Sequence, residues 1–194
     1  MSRSLQWLRR LLAIPLLLLS VPGVVASADD ALELMREGGK VLLVRHASTV
    51  PGLGDPPGFR LGDCTTQRNL SESGREESGR LGARLREAGV PIAEVRSSEW
   101  CRCVDTAELA FAGHGVSVMV WPPLNSFFRG QGDAQAQTTA ARAALSNLPK
   151  DSNWVWVTHQ VNITALTGVV PAMGEVVVAA PGPDGLQVLA RWRP

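Results

Sequence analysis

Basic charge is not in excess, cysteine and histidine are scarce, and past residue 28 no apolar run is long enough to cross a bilayer. The 194-residue chain has 19 basic and 18 acidic residues. Arg3, Arg9 and Arg10 lie in the first 28 positions, which hold no acid, so the remainder has 16 basic and 18 acidic residues, a net of −2. A nucleic-acid binder that works by neutralising phosphates needs the opposite balance. Cys64, Cys101 and Cys103 are the only cysteines, and Cys-x-Cys without a nearby His lacks zinc-ligand spacing, so no metal is expected. There is no internal repeat and no low-complexity linker, which excludes a repeat array. The length fits one domain.

The opening segment is basic, then apolar from Leu11 to Val25, then Ala26-Ser27-Ala28 ahead of Asp29-Asp30. This is the layout of a secretory signal with a small-x-small cleavage site. A signal over 1–28 and a single mature domain over 29–194 are therefore expected, in a periplasmic or secreted bacterial protein, with no stable membrane span after cleavage. The competing reading is a retained anchor, for which Leu11 to Ala26 is marginal in length. Export makes the cysteines candidates for oxidation, and their odd count leaves one over. On a helix from 99 to 112, Cys101 and Cys103 point about 200° apart and cannot pair with each other. Cys64 can reach only one of them.

Apolar runs and turn residues set the order of elements. A short helix at Ala31 to Arg36 precedes Lys40 to Val44, a continuous apolar run of the buried-strand type. An irregular Gly- and Pro-rich stretch, Pro51 to Gly62, follows. Ser71 N-caps a helix that carries Leu81, Leu85 and Ala88 on one face and stops at Gly89. Strands are predicted at Val90 to Val95, Val116 to Trp121, Trp154 to Thr158, Glu175 to Val178 and Leu186 to Trp192. Helices are predicted at Glu99 to Ala112, Ala134 to Leu148 and Ile163 to Gly168. Alternating strands and helices give an α/β fold of three layers, helix on sheet on helix, around a mostly parallel sheet.

His46 and His159 directly follow the two most apolar strands. Ligands of open α/β sheets bind beyond the carboxyl ends of the strands, so these histidines meet in one crevice if their strands are neighbours. Arg45 adjoins the first, and Arg102 lies in the first turn of a helix at the same rim. Two guanidiniums and two imidazoles make an anion site that contains a nucleophile, which is what phosphoryl transfer requires.

Val41-Leu42-Leu43-Val44-Arg45-His46-Ala47, Gln67-Arg68-Asn69-Leu70-Ser71 with Gly74, Ser97-Ser98 with Arg102 and Thr106-Ala107, and Val155-Trp156-Val157-Thr158-His159 together resemble the histidine phosphatase superfamily. The resemblance runs from about Lys40 to Gly168. It is greatest to a small exported bacterial branch in which pairs such as Asp63-Cys64 and Trp100-Cys101-Arg102 recur, a branch that includes a phosphatase proposed to act on lipopolysaccharide core heptose phosphate. It implies a phosphoglycerate mutase-like fold and a cofactor-independent phosphatase. The expected substrate is a phosphorylated small molecule or a cell-envelope sugar phosphate, as monoester or phosphoramidate. His46 becomes the nucleophile that carries the phosphoryl group, Arg45 and Arg102 clamp its oxygens, and His159 donates to them. Asn162 either joins the phosphate site or caps the short helix beside it. The expected bridge is Cys64–Cys101, with Cys103 a buried thiol.

The proton donor departs from the family pattern. Where the mutase branch has Glu after a Leu-Asn pair, Ser126 follows Leu124-Asn125, and where the acid-phosphatase branch has an acid after the second His there is Gln160. Asp133 is the expected replacement, with Asp55 and Asp63 behind it, against the alternative that Asp133 only N-caps the Ala134 helix. The missing acid also admits a second class, a non-catalytic binder of phosphate ligands on the same fold, against which the intact His46-Arg45-Arg102-His159 set argues.

Overall fold

The computed structural model describes residues 28–183 and 185–194. The expected signal therefore lies outside the described residues, apart from Ala28. In chain order the elements are α1 (Ala28–Arg36), β1 (Val41–Arg45), α2 (Glu72–Glu87), β2 (Ile92–Ser97), α3 (Cys101–Phe111), β3 (Val118–Val120), α4 (Ala134–Ala144), β4 (Asn153–Thr158), α5 (Gln160–Thr167), β5 (Val176–Gly182) and β6 (Gly185–Trp192). They form one sheet in the order β3-β2-β4-β1-β5-β6. The first four neighbours run parallel, and β5 and β6 form an antiparallel margin. None of the helices among the described residues is long and apolar enough to cross a membrane.

Strands covered on both faces read as unbroken apolar runs, and β1 and β4 are covered in this way. Leu42, Val44, Val155 and Val157 point to the side of α1, α2 and α3, where they meet Met35, Leu85 and Phe111. Val41, Leu43, Trp154 and Trp156 point to the side of α4 and α5, against Ala141, Ile163 and Leu166. The two tryptophans stack with ring centres 6.2 Å apart, as their period-two spacing requires.

Several boundaries differ from the sequence reading. α4 is regular only to Ala144, and its last turn, Leu145–Asn147, tightens to a 3-10 form before Pro149. α5 begins at Gln160 rather than Ile163, because the chain turns from strand to helix within one residue, His159. β5 runs on through Pro181. The β1 register ends opposite Ala179, so the missing Pro181 N–H takes no bond from that neighbour.

Two glycines let α2 approach its surroundings. A Cβ on Gly74 would lie 1.9 Å from the Ser48 carbonyl oxygen, and one on Gly82 would lie 1.8 Å from that of Ala110 in α3. Gly79, on the same helix, has no neighbour within 4 Å of its Cβ position. Gly82→Ala is expected to destabilise the protein by about 1–3 kcal/mol through backbone displacement, while Gly79→Ala stabilises it by up to about 1 kcal/mol through helix propensity. Thermal melts of the two variants test this, and equal melting temperatures would remove the close α2–α3 contact as a constraint.

Candidate active site

β1 and β4 are paired so that Arg45 stands opposite Thr158. The next residue of each strand therefore leaves the sheet at the same level, and the His46 and His159 ring centres lie 5.5 Å apart at 66°. The His46 N–H donates to the Thr158 carbonyl at 3.0 Å, fixing this relation through the backbone. Both rings line a cavity of about 130 Å³ together with Arg45, Arg68, Arg102 and Asp55. Arg45 is steered by bonds from Nη1 to Gln160 Oε1 (3.0 Å) and the Pro171 carbonyl (2.8 Å).

Burial, then the neighbouring Arg102 guanidinium, pushes the His46 imidazole down to about 3, so the ring is neutral. It is only 3% exposed. Nδ1 lies 2.9 Å from the Ala47 carbonyl, which can only accept, so the single ring proton sits there. Nε2 keeps its lone pair. His159 is held well below its ordinary value by burial, then by His46 and Arg102. Its Nδ1 lies 3.5 Å from Arg102 Nη2, a donor only, and is therefore an acceptor. Its Nε2–H donates to Ser98 Oγ at 2.9 Å, and Ser98 passes a bond to Asn125 Oδ1 at 3.2 Å.

Asp55 arrives from the long loop after β1. Its side chain is 2% exposed and pairs with Arg102 Nη1 at 2.7 Å. Oδ1 also accepts the Arg68 N–H (3.0 Å) and Oδ2 accepts Trp100 Nε1 (3.0 Å). Burial raises the Asp55 carboxyl, but the bonds from Arg102, the Arg68 backbone and Trp100 outweigh it and leave the group below its usual range. It is an ionised anchor and holds no proton to give. Arg68 is the residue that sequence reasoning missed. It was legible only as part of the Gln67-Arg68-Asn69 segment, and it reaches the pocket because Nε bonds the Gly54 carbonyl at 2.9 Å and Nη1 bonds Thr49 Oγ1.

Asp133 is a correction. It does not line the pocket; its carboxylate accepts the Ala136 N–H at 2.9 Å and N-caps α4, as an exposed residue ahead of an Ala-rich helix would. Asp63 likewise stands outside, capping a 3-10 turn and pairing with Arg60 at 2.5 Å. Asn162 is corrected as well. Because α5 starts at Gln160, Asn162 lies inside the helix and neither caps it nor lines the pocket; its Nδ2 donates to the Asn125 carbonyl at 2.8 Å, bracing the loop before α4. Thr106 ties the α3 backbone to the turn after β1: its hydroxyl donates to the Arg102 carbonyl and accepts the Ala47 N–H. Cys64 is bonded to Cys101, with Cα atoms 5.7 Å apart, and Cys103 is a buried free thiol, pushed up to about 12 by burial. Among the described residues no cluster of three or more His, Cys, Asp or Glu could hold a metal ion.

The family model for the histidine phosphatase superfamily (branch 1) matches residues 41–144, more than half of the chain. The chain belongs to the histidine phosphatase superfamily. His159 lies beyond the matched segment and joins this histidine phosphatase site through the β1–β4 register. No curated protein sequence gives a significant match. Solved structures share the fold at low identity. The protein histidine phosphatase SixA complexed with tungstate is 17% identical, with a TM-score of 0.58 over 80% of this chain and 97% of its own. The alpha-ribazole phosphatase from Shigella flexneri is 18% identical, with a TM-score of 0.56 over 78% and 95%. The phosphoglycerate mutase from Thermus thermophilus is 21% identical, with a TM-score of 0.54 over 80% and 99%.

Two outcomes follow from this geometry. Between its folded value of about 3 and its ordinary 6.5, His46 takes up a proton only in the unfolded chain. Its contribution is therefore complete above pH 6.5 and is lost as pH falls toward 3, by at most about 1.4 kcal/mol per pH unit. Urea titrations at pH 7.5 and 5 should show wild type losing roughly 2 kcal/mol more than His46→Gln; identical losses would mean the ring is not held neutral. Asp133→Ala should lower stability by about 1 kcal/mol and leave inorganic phosphate binding unchanged. A weakened phosphate isotherm with unaltered stability would return Asp133 to the site.

Proposed function

We propose that the chain is an exported phosphatase that hydrolyses a phosphomonoester or phosphoramidate through a phosphohistidine on His46. The observation that carries this reading is the neutral His46 ring, its Nε2 lone pair bare, in a pocket with three guanidiniums. Membership of the family supports it, as does the SixA structure, which holds tungstate, a tetrahedral oxyanion like phosphate. The residue 1–28 layout and the Cys64–Cys101 bridge support an oxidising compartment outside the cytoplasm. A cell-envelope sugar phosphate is a substrate class that such a compartment offers.

In this reading Arg45, Arg68 and Arg102 seat the phosphoryl dianion and neutralise charge as it shifts between the attacking and leaving atoms. His46 Nε2 forms the N–P bond as the bond from phosphorus to the leaving group breaks. The bound dianion beside His159 offsets the surrounding cations, so that Nδ1 takes a proton from solvent as the substrate binds and donates it in a hydrogen bond to a phosphoryl oxygen. Water then attacks the phosphohistidine, the N–P bond breaks with its electron pair returning to Nε2, and phosphate departs. With Asp55 ionised and tied down, the lining residues offer no carboxylic acid proton to the leaving group. This favours leaving groups that depart already protonated or as stable anions, such as the nitrogen of a phosphoramidate or an activated alcohol.

Radiolabelled substrate quenched during turnover should leave an acid-labile, alkali-stable label on wild type and none on His46→Ala. Label persisting in the variant would place the nucleophile elsewhere. Phosphate binding by a wild type that neither labels nor turns over would instead make the chain a phosphate-ligand binder.

A further inference from the structure

The mouth of the pocket differs in character from its floor. Leu53, Phe128 and Val161 supply the apolar part of the lining, and the polar groups beside them, Ser126, Gln131 and Gln160, are uncharged. Leu53 is 74% exposed, an apolar side chain standing in solvent at the rim of a concave polar site. Phe128 lines the same pocket from the other loop, and the two loops meet where the Cβ position of Gly54 comes within 3.8 Å of Phe128 Cε1. Gly54 has φ +77°, a conformation that side chains rarely adopt, so the approach depends on glycine.

Charge matching makes the same point from the floor. Three guanidiniums face one carboxylate, Asp55, and both imidazoles are neutral. The lining therefore carries a net charge of two positive units, which a single phosphoryl dianion cancels. Nothing in the lining remains to pair with a second acid on the substrate. Arg129, exposed and with its guanidinium 5.3 Å from the Phe128 ring centre, stands outside the lining.

We infer that the substrate is a monophosphate whose leaving group carries no second acidic group and presents an apolar face to Leu53 and Phe128, which set specificity at the mouth. This rests on the phosphatase reading above, in that the phosphoryl group occupies the arginine floor. A carboxylate-bearing phosphate such as a phosphoglycerate is disfavoured, because its second charge would find no further cation in the lining to pair with. A planar or aliphatic group gains by covering Leu53 and one edge of Phe128.

Non-hydrolysable phosphonates separate this from the chemistry of leaving-group departure. Calorimetric titration of the full chain with methylphosphonate, benzylphosphonate and phosphonoacetate should rank benzylphosphonate at least about tenfold tighter than methylphosphonate, with phosphonoacetate no tighter than methylphosphonate. The benzyl-to-methyl ratio should collapse toward one in Phe128→Ala and in Leu53→Ser. The exposed Leu53 site makes the second variant informative even if the first disturbs its loop. Phosphonoacetate as the tightest ligand would overturn the inference and leave the phosphatase reading standing. So would a benzyl-to-methyl ratio near one in wild type, or one that survives both variants. Failure of all three phosphonates to bind would overturn both readings.

Discussion

A buried ion pair, Asp55 with Arg102, is the interaction on which the rest of the site depends. It joins parts of the chain that the sheet does not connect: the irregular loop after β1, the first turn of α3 and, through Trp100 and the Arg68 backbone, the segments on either side. Removing one partner of such a pair leaves an uncompensated buried charge and costs about 3–5 kcal/mol. The Cys64–Cys101 bridge and the bond from the Cys101 N–H to Gln67 Oε1 fasten the same loop to the same helix turn. Arg102 is thus held from both ends of a loop that has little regular structure of its own.

The pair sits in a cluster of buried charges. Arg45, Arg68 and Arg102 share one cavity, and burial followed by mutual repulsion pushes Arg45 and Arg68 below their ordinary range. Asp55 offsets Arg68 and pairs with Arg102, while Glu175 offsets Arg45. Burial first, and then the same cations, make a protonated histidine unfavourable, so in the proposed reaction the field that would seat phosphate adds to the burial that keeps His46 unprotonated. Ser98 and Asn125 then fix the His159 ring through a chain of bonds that leads back to the loop before α4.

What could be read in advance follows the range of the interactions involved. β1 and β4 are continuous apolar runs, so their strands and their burial were legible from local pattern, whereas the convergence of Arg45, His46 and His159 was legible only on the condition that the two strands are neighbours, which the sheet order meets. Arg102 was legible from its place at the start of a helix. Asp55 and Arg68 were not, because their positions depend on the path of a 25-residue connection between Arg45 and Ser71 that positive-φ glycines such as Gly54 and Gly58 bend without periodicity. Asp133 fitted two roles by position, and the short-range one prevailed, since a carboxylate two to three residues before free helix N–H groups is satisfied at once. Asn162 was misplaced by a small error in the start of α5, enough to turn a proposed ligand or cap into a brace inside the helix.

The central claim is that Asp55 positions Arg102 and is not the proton donor. The dependence of log kcat on leaving-group pKa, measured over aryl and alkyl phosphates for wild type and Asp55→Asn, tests it most directly when paired with unfolding midpoints. An anchor predicts that the variant is slower on every substrate with an unchanged slope, and less stable by about 3 kcal/mol. A steeper slope in the variant, with slowing confined to poor leaving groups and stability retained, would contradict the account and make Asp55 the acid.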